Sequence, residues 1–138
     1  MKNNFVLSIE QMSRLKELGV DTSNASMCWI KDPNGECDDR LVVHDEYCCE
    51  CSGLDPVPTF TLQDMLEMMP FQIYEENSDK YHRLYIERAK GKVGVLYCHC
   101  YSTGDCIFDS VKENILEAAY STLCWLAENG YLEKEITG

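Results

Sequence analysis

The stretch "YHRLYIERAKGKVGVLYCHCY", Tyr81–Tyr101, decides the fold. Its first half alternates Tyr81, Arg83, Tyr85 and Glu87 with His82, Leu84, Ile86 and Arg88. That period of two is what a strand with one covered face and one wet face requires. "KGK" then breaks the run with a glycine, a turn signal. The second half, "KVGVLYCHCY", is apolar at both parities and reads as a strand inside a sheet rather than at its edge. On either side lie "FQIYEE" and "CIFD", short and rich in aromatic and β-branched residues, set off by "NSD" and "STGD". The pattern predicts an antiparallel meander of three to four strands. His82, beside Tyr81 and Arg83, is expected at its surface.

Outward from the meander the period becomes helical. Three segments carry a capping box, in which a Ser or Thr hydroxyl and a side chain three residues on satisfy each other's backbone amides. They are Ser8 with Gln11, Thr61 with Asp64, and Ser110 with Glu113. Ile9, Met12, Leu15 and Leu18 follow the first box and Gly19 stops that helix. Leu62, Met65, Leu66 and Met69 follow the second, with Pro70 as the stop. Val111, Ile115, Ala118, Ala119, Thr122 and Leu126 line the third, which Asn129-Gly130 closes with Tyr131 or Leu132 packing back. Between the first two helices "ASMCWIK" and "RLVVH" predict a strand pair joined through "DPNG". Cys48 to Thr59, with Pro56 and Pro58, reads as an irregular connection.

The expected fold is therefore a single α+β domain over residues 1–138: a meander plus an N-terminal strand pair, packed by about three helices. Trp125, Leu66, Leu84, Leu96, Ile115 and Leu126 are the expected core.

Charge narrows the function. With 24 acidic and 12 basic residues the net charge is -12. Such a chain repels phosphate backbones and anionic lipid, so direct nucleic-acid and membrane binding are disfavoured. "MKNNFVLSIEQ" holds an apolar run too short for a signal peptide or a membrane span, which predicts a cytoplasmic protein. Thiols stay reduced in that compartment, and nine cysteines, an odd number, are not expected to form a disulfide framework.

"DEYCCECSGLDP", Asp45–Pro56, is the densest chemical signal. Cys48 and Cys51 have the spacing that presents two thiolates to a tetrahedral zinc ion, and Cys98 with Cys100, or Cys100 with Cys106, would have to supply the other two. A strand "CHC" is a poor clamp, since its middle residue points to the opposite face. A redox role for Cys48 and Cys51 is disfavoured because a turn follows them and Asp45, Glu46 and Glu50 would raise their pKa. The favoured reading is that these cysteines pack as small apolar residues and bind no metal. His44 stands beside Asp45 and Glu46 as a candidate base or ligand, and more simply as a solvated strand end. Asp32, Asn34, Glu36 and Asp38 surround Gly35 without the spacing of a calcium loop. There is no nucleophile elbow, zinc-protease motif, phosphate loop or dinucleotide fingerprint, so neither catalysis nor a cofactor is expected.

Acidic residues concentrate at Glu36, Asp38, Asp39, Asp45, Glu46, Glu50 and Asp55, with a second group at Glu128, Glu133 and Glu135. They read as a solvated face, or as a negative surface steering a basic partner; carboxylates set in rows could instead imitate DNA phosphates.

"LSIEQMSRLKELGVDTSNASMCW", "VPTFTLQDMLEMMP" and "EAAYSTLCWLAENGYLE" resemble segments of small proteins on mobile genetic elements and phages of anaerobic gut bacteria. No activity or ligand is attached to that group; the resemblance implies an accessory protein that binds rather than turns over. The expected function is thus a non-catalytic interaction protein with a basic protein partner. The alternatives are a zinc-stabilised module using Cys48, Cys51, Cys98 and Cys100, and an acidic DNA mimic that inhibits a nucleic-acid-binding protein.

Overall fold

A computed structural model describes residues 5–30, 40–43, 56–99 and 106–132. In chain order the elements are α1 (Ile9–Glu17), β1 (Met27–Ile30), β2 (Arg40–Val43), β3 (Pro56–Thr59), α2 (Leu62–Met68), β4 (Gln72–Glu75), β5 (Lys80–Ala89), β6 (Lys92–His99), β7 (Cys106–Lys112) and α3 (Ile115–Glu128). They form an α+β fold with two antiparallel sheets, β2-β1-β3 and β4-β5-β6-β7.

The four-stranded sheet is the expected meander, with β6 inside it. Lys90 and Gly91 join β5 to β6 with φ of 50° and 77°, the paired positive values of a type I′ hairpin turn. Ile73, His82, Leu84, Val95, Tyr97 and Phe108 share the face that α3 covers. His82 is therefore not at the surface. Its register partners Ile73 and His99 put it on the covered side, and it is 2% exposed.

The capping boxes of α1 and α2 form with both reciprocal bonds. The third does not. Ser110 pairs with Val95 inside β7, and α3 starts five residues later with Asn114 accepting from the Glu117 amide at 2.9 Å. Strand pairing overrode a local signal, and Val111, expected on the helix, is 50% exposed on the sheet's outer face. From Leu116 onward the helix behaves as its spacing requires. Leu116, Ala119, Leu123 and Leu126 form one buried stripe, and Ala118 and Thr122 widen it on a helix that packs against α1 and α2 as well as against the sheet. Of the expected core, Leu126 is fully buried, while Leu66, Leu84, Ile115 and Trp125 pack half-buried at the margin. Leu96 faces the other side of β6, paired with Tyr85 and Asp109, and is half-buried. The centre is instead built from Leu7, Leu15, Phe60, Met65, Val95, Tyr97 and Leu123.

The strand pair gains a third member, since Pro56–Thr59 is a strand rather than an irregular connection. Its prolines are two residues apart, so both ring nitrogens face the same way. Proline cannot donate, and β3 is an edge strand, so that way is outward and Val57 and Thr59 carry the pairing with β1.

Candidate functional site

Each helix ends where the sequence places its stop. At α1, Gly19 takes φ of 90°; its amide donates to Lys16 O at 3.0 Å and the Val20 amide to Leu15 O at 3.0 Å. At α3, Gly130 takes φ of 75°, with its amide on Ala127 O at 3.3 Å and the Tyr131 amide on Leu126 O at 2.9 Å. Both are Schellman endings, in which a glycine turns the chain back over the last helical turn. At α2, Met69 swings to an extended ψ of 125° ahead of Pro70.

These three ends meet. Residues 18–21, residues 67–70, and Ala127 with residues 130–132 line one cleft of about 590 Å³. A helix C-terminus carries partial negative charge, up to about half an elementary charge for a long helix, which the Schellman amides of α1 and α3 offset in part. The last turns of α2 and α3 contain no basic residue to offset it. The basic residues of α1's last turn are Arg14 and Lys16, and Arg14 is engaged by Glu128 at 3.3 Å and Glu17 at 3.9 Å. Asp21 adds a carboxylate. The Ser23 backbone amide, then its hydroxyl, donate to Asp21 Oδ1 at 3.0 and 2.7 Å and hold its carboxyl below the usual range. Glu67, also on the rim, accepts from Gln63 at 3.0 Å.

Apolar groups make the remaining wall. Tyr131 packs against Trp125 in a tilted pair, 5.4 Å between ring centroids, and Trp125 stacks on Phe108 at 4.6 Å. Burial pushes the Tyr131 phenol up, and Glu75 and Glu76 add to the effect, so the cleft's aromatic wall lies in the field of two further carboxylates. Tyr97 reaches from the sheet to donate to Pro70 O at 2.6 Å, tying the end of α2 to β6. The cleft thus combines an electronegative rim with Met68, Met69 and Tyr131, a combination suited to a cation on an apolar stem.

Of the candidate ligands and bases singled out from the sequence, the described ones, Cys98 and His82, do not line it. Cys48, Cys51 and Cys100, His44, and the acidic run from Glu36 to Asp55 lie outside the described residues, as do Glu133 and Glu135. Cys98 is described, and it corrects the expectation of reduced thiols, because it is joined to Cys106 by a disulfide across β6 and β7. The register sets the two side by side, which eight residues of separation in sequence did not reveal. Among the described residues no group of three or more His, Cys, Asp or Glu is placed to hold a metal ion. His82 Nε2 lies 3.0 Å from Glu75 Oε2, while its buried Nδ1 has no hydrogen-bonding partner among the described residues. No described helix is long and apolar enough to cross a membrane.

The cleft was missed because its parts are remote in sequence. Gly19, Pro70 and Asn129-Gly130 were each legible as stops, and only tertiary packing brings them together. Compared with protein-family models, curated proteins and solved structures, the chain matches none.

Proposed function

We infer that this chain is a small, acidic, non-catalytic interaction protein that holds a lysine or arginine side chain of a partner protein in the cleft between its three helix ends. The observation that carries the reading is the convergence of three C-termini on one cleft, two of them without a compensating basic residue. An ammonium or guanidinium group entering there meets backbone carbonyls, Asp21 and Glu67, while its methylene stem lies on Met68, Met69 and Tyr131. The net charge of -12 steers such a partner toward the surface before contact. Resemblance to accessory proteins of mobile elements agrees with a binding role.

Capped tripeptides carrying a central arginine, lysine or glutamate test this by amide NMR. The arginine and lysine peptides should shift the resonances of Gly19, Met68, Gly130 and Tyr131, weakening as salt is added. Ala127→Arg, which supplies the cleft with a cation of its own, should abolish the shifts and leave the melting temperature unchanged. An equal response to the glutamate peptide, or undiminished binding by the Ala127→Arg variant, would refute the assignment.

A further inference from the structure

We propose that the Cys98–Cys106 disulfide is a reversible redox switch on the cleft, a regulation that rests on the ligand reading above. The bond sits where β6 and β7 lose regular register, at an irregularity between Tyr97 and Cys98. Tyr97 pairs with Phe108 and Cys98 with Cys106, leaving Ile107 as an extra residue, so the link fixes a bulge. The switch requires a second packing for the start of β7, and the regular ladder that the link holds off is the one the geometry points to.

The path to the cleft is short. Two residues after Cys106, Phe108 stacks on Trp125; Trp125 packs tilted against Tyr131; and Tyr131 lines the cleft. Trp125 also faces Tyr97, whose hydroxyl holds Pro70 at the end of α2. A shift of β7 at the bulge therefore moves the ring against which the cleft's aromatic wall packs.

The chemistry is thiol–disulfide exchange. Cys98 is 1% exposed and Cys106 is half-buried, so an incoming thiolate reaches the Cys106 sulfur. Its attack forms a mixed disulfide as the bond to Cys98 breaks, and Cys98 leaves as a thiolate that takes up a proton. The register places Arg83 beside Cys98 on the same face, where a cation favours that leaving group. A dithiol reductant's second thiolate then displaces Cys106, which is protonated in turn, and the reductant closes its own disulfide. Two electrons have passed to the protein, and a low-molecular-weight disulfide reverses the sequence.

The test follows both indole N–H resonances, an arginine peptide's affinity and the Cys98–Cys106 link by peptide mass mapping, with and without dithiothreitol. Opening the link should shift the Trp125 resonance, leave Trp29 in place, and change the peptide's affinity roughly fivefold or more. A Cys98→Ser/Cys106→Ser variant should show the reduced behaviour and ignore dithiothreitol; if that variant does not fold, the wild-type titration decides alone. Absence of the linked peptide under oxidising conditions, or an unmoved Trp125 resonance after the link opens, would overturn the switch. Movement of Trp125 with no peptide bound in either state would remove the ligand reading and leave the redox coupling standing.

Discussion

The two sheets are held together by different means. The meander is a local object: short turns join β4, β5 and β6, and a single helix following directly on β7 covers one face. The three-stranded sheet draws strands from residues 27–59, and two of its side chains converge on one atom outside it, the carbonyl oxygen of Leu7. Trp29 Nε1 donates to it at 2.9 Å and Thr59 Oγ1 at 2.6 Å, while the Leu7 amide donates to Phe60 O at 3.1 Å. Area burial under α3 stabilises the first sheet, whereas the second, which buries Cys28 and Ile30, is positioned as well by directed polar contacts. Neighbours in sequence can build by hydrophobic pattern alone, whereas distant segments need specific bonds to fix where they meet.

The largest expected break is on the meander side. Leu126→Ala removes a fully buried side chain between α3 and its neighbours and should cost about 2–5 kcal/mol in chemical denaturation. Ile115→Ala, at the half-buried margin, should cost clearly less; equal losses would mean that α3 presents a different face. Next comes the Leu7 carbonyl. Thr59→Val and Trp29→Phe each remove one of two donors and should cost about 1 kcal/mol. The double variant orphans a buried acceptor, so its loss should exceed the sum, with hydrogen exchange rising in β1 and β3 before β5 and β6. Additive losses would show that the two bonds do not converge on Leu7.

A smaller effect separates the two candidate starts of α3. Asn114→Ala should cost about 1 kcal/mol as a lost cap. Ser110→Ala should be neutral or stabilising in the same denaturation experiment, because the buried Ser110 hydroxyl has no partner among the described residues. The smallest effect is a pH dependence at Asp64, which joins the start of β1 to α2. Burial alone would raise its carboxyl, but hydrogen bonds from the Ser26 hydroxyl and amide and from Thr61 outweigh it and bring the folded value below the usual one. A depressed folded pKa contributes stability that is present above the unfolded value of about 3.9 and is lost as pH falls through the folded value. Asp64→Asn should flatten that acid limb of the stability curve; an unchanged limb would assign it to other carboxylates.

What the sequence disclosed follows the same division. The alternation through Tyr81–Arg88, the two working capping boxes and all three helix stops are local patterns, each written in residues a few positions apart. Where the reading failed, a distant partner had decided. Ser110 and Glu113 satisfy the box pattern, but Val95 and Gly94 claim β7 as a strand. Pro56 and Pro58 look like breakers until β1 offers an edge on which their missing donors do no harm. His82 is polar among polar neighbours, yet parity with Leu84 already assigned it to the covered side. The candidate cleft and the disulfide are properties of packing and register, and no stretch of sequence contains either.

The two prolines of β3 carry a further consequence, for self-association. A sheet edge normally exposes a row of unused donors and acceptors on which another chain can add as a strand, the first step toward aggregates. On β3 the outward positions of Pro56 and Pro58 offer no N–H at all, and immediately beyond them Val6 bridges to Thr61. A second chain arriving at this edge finds carbonyls without the alternating donors that a ladder needs, so the edge is closed to strand addition by its own chemistry.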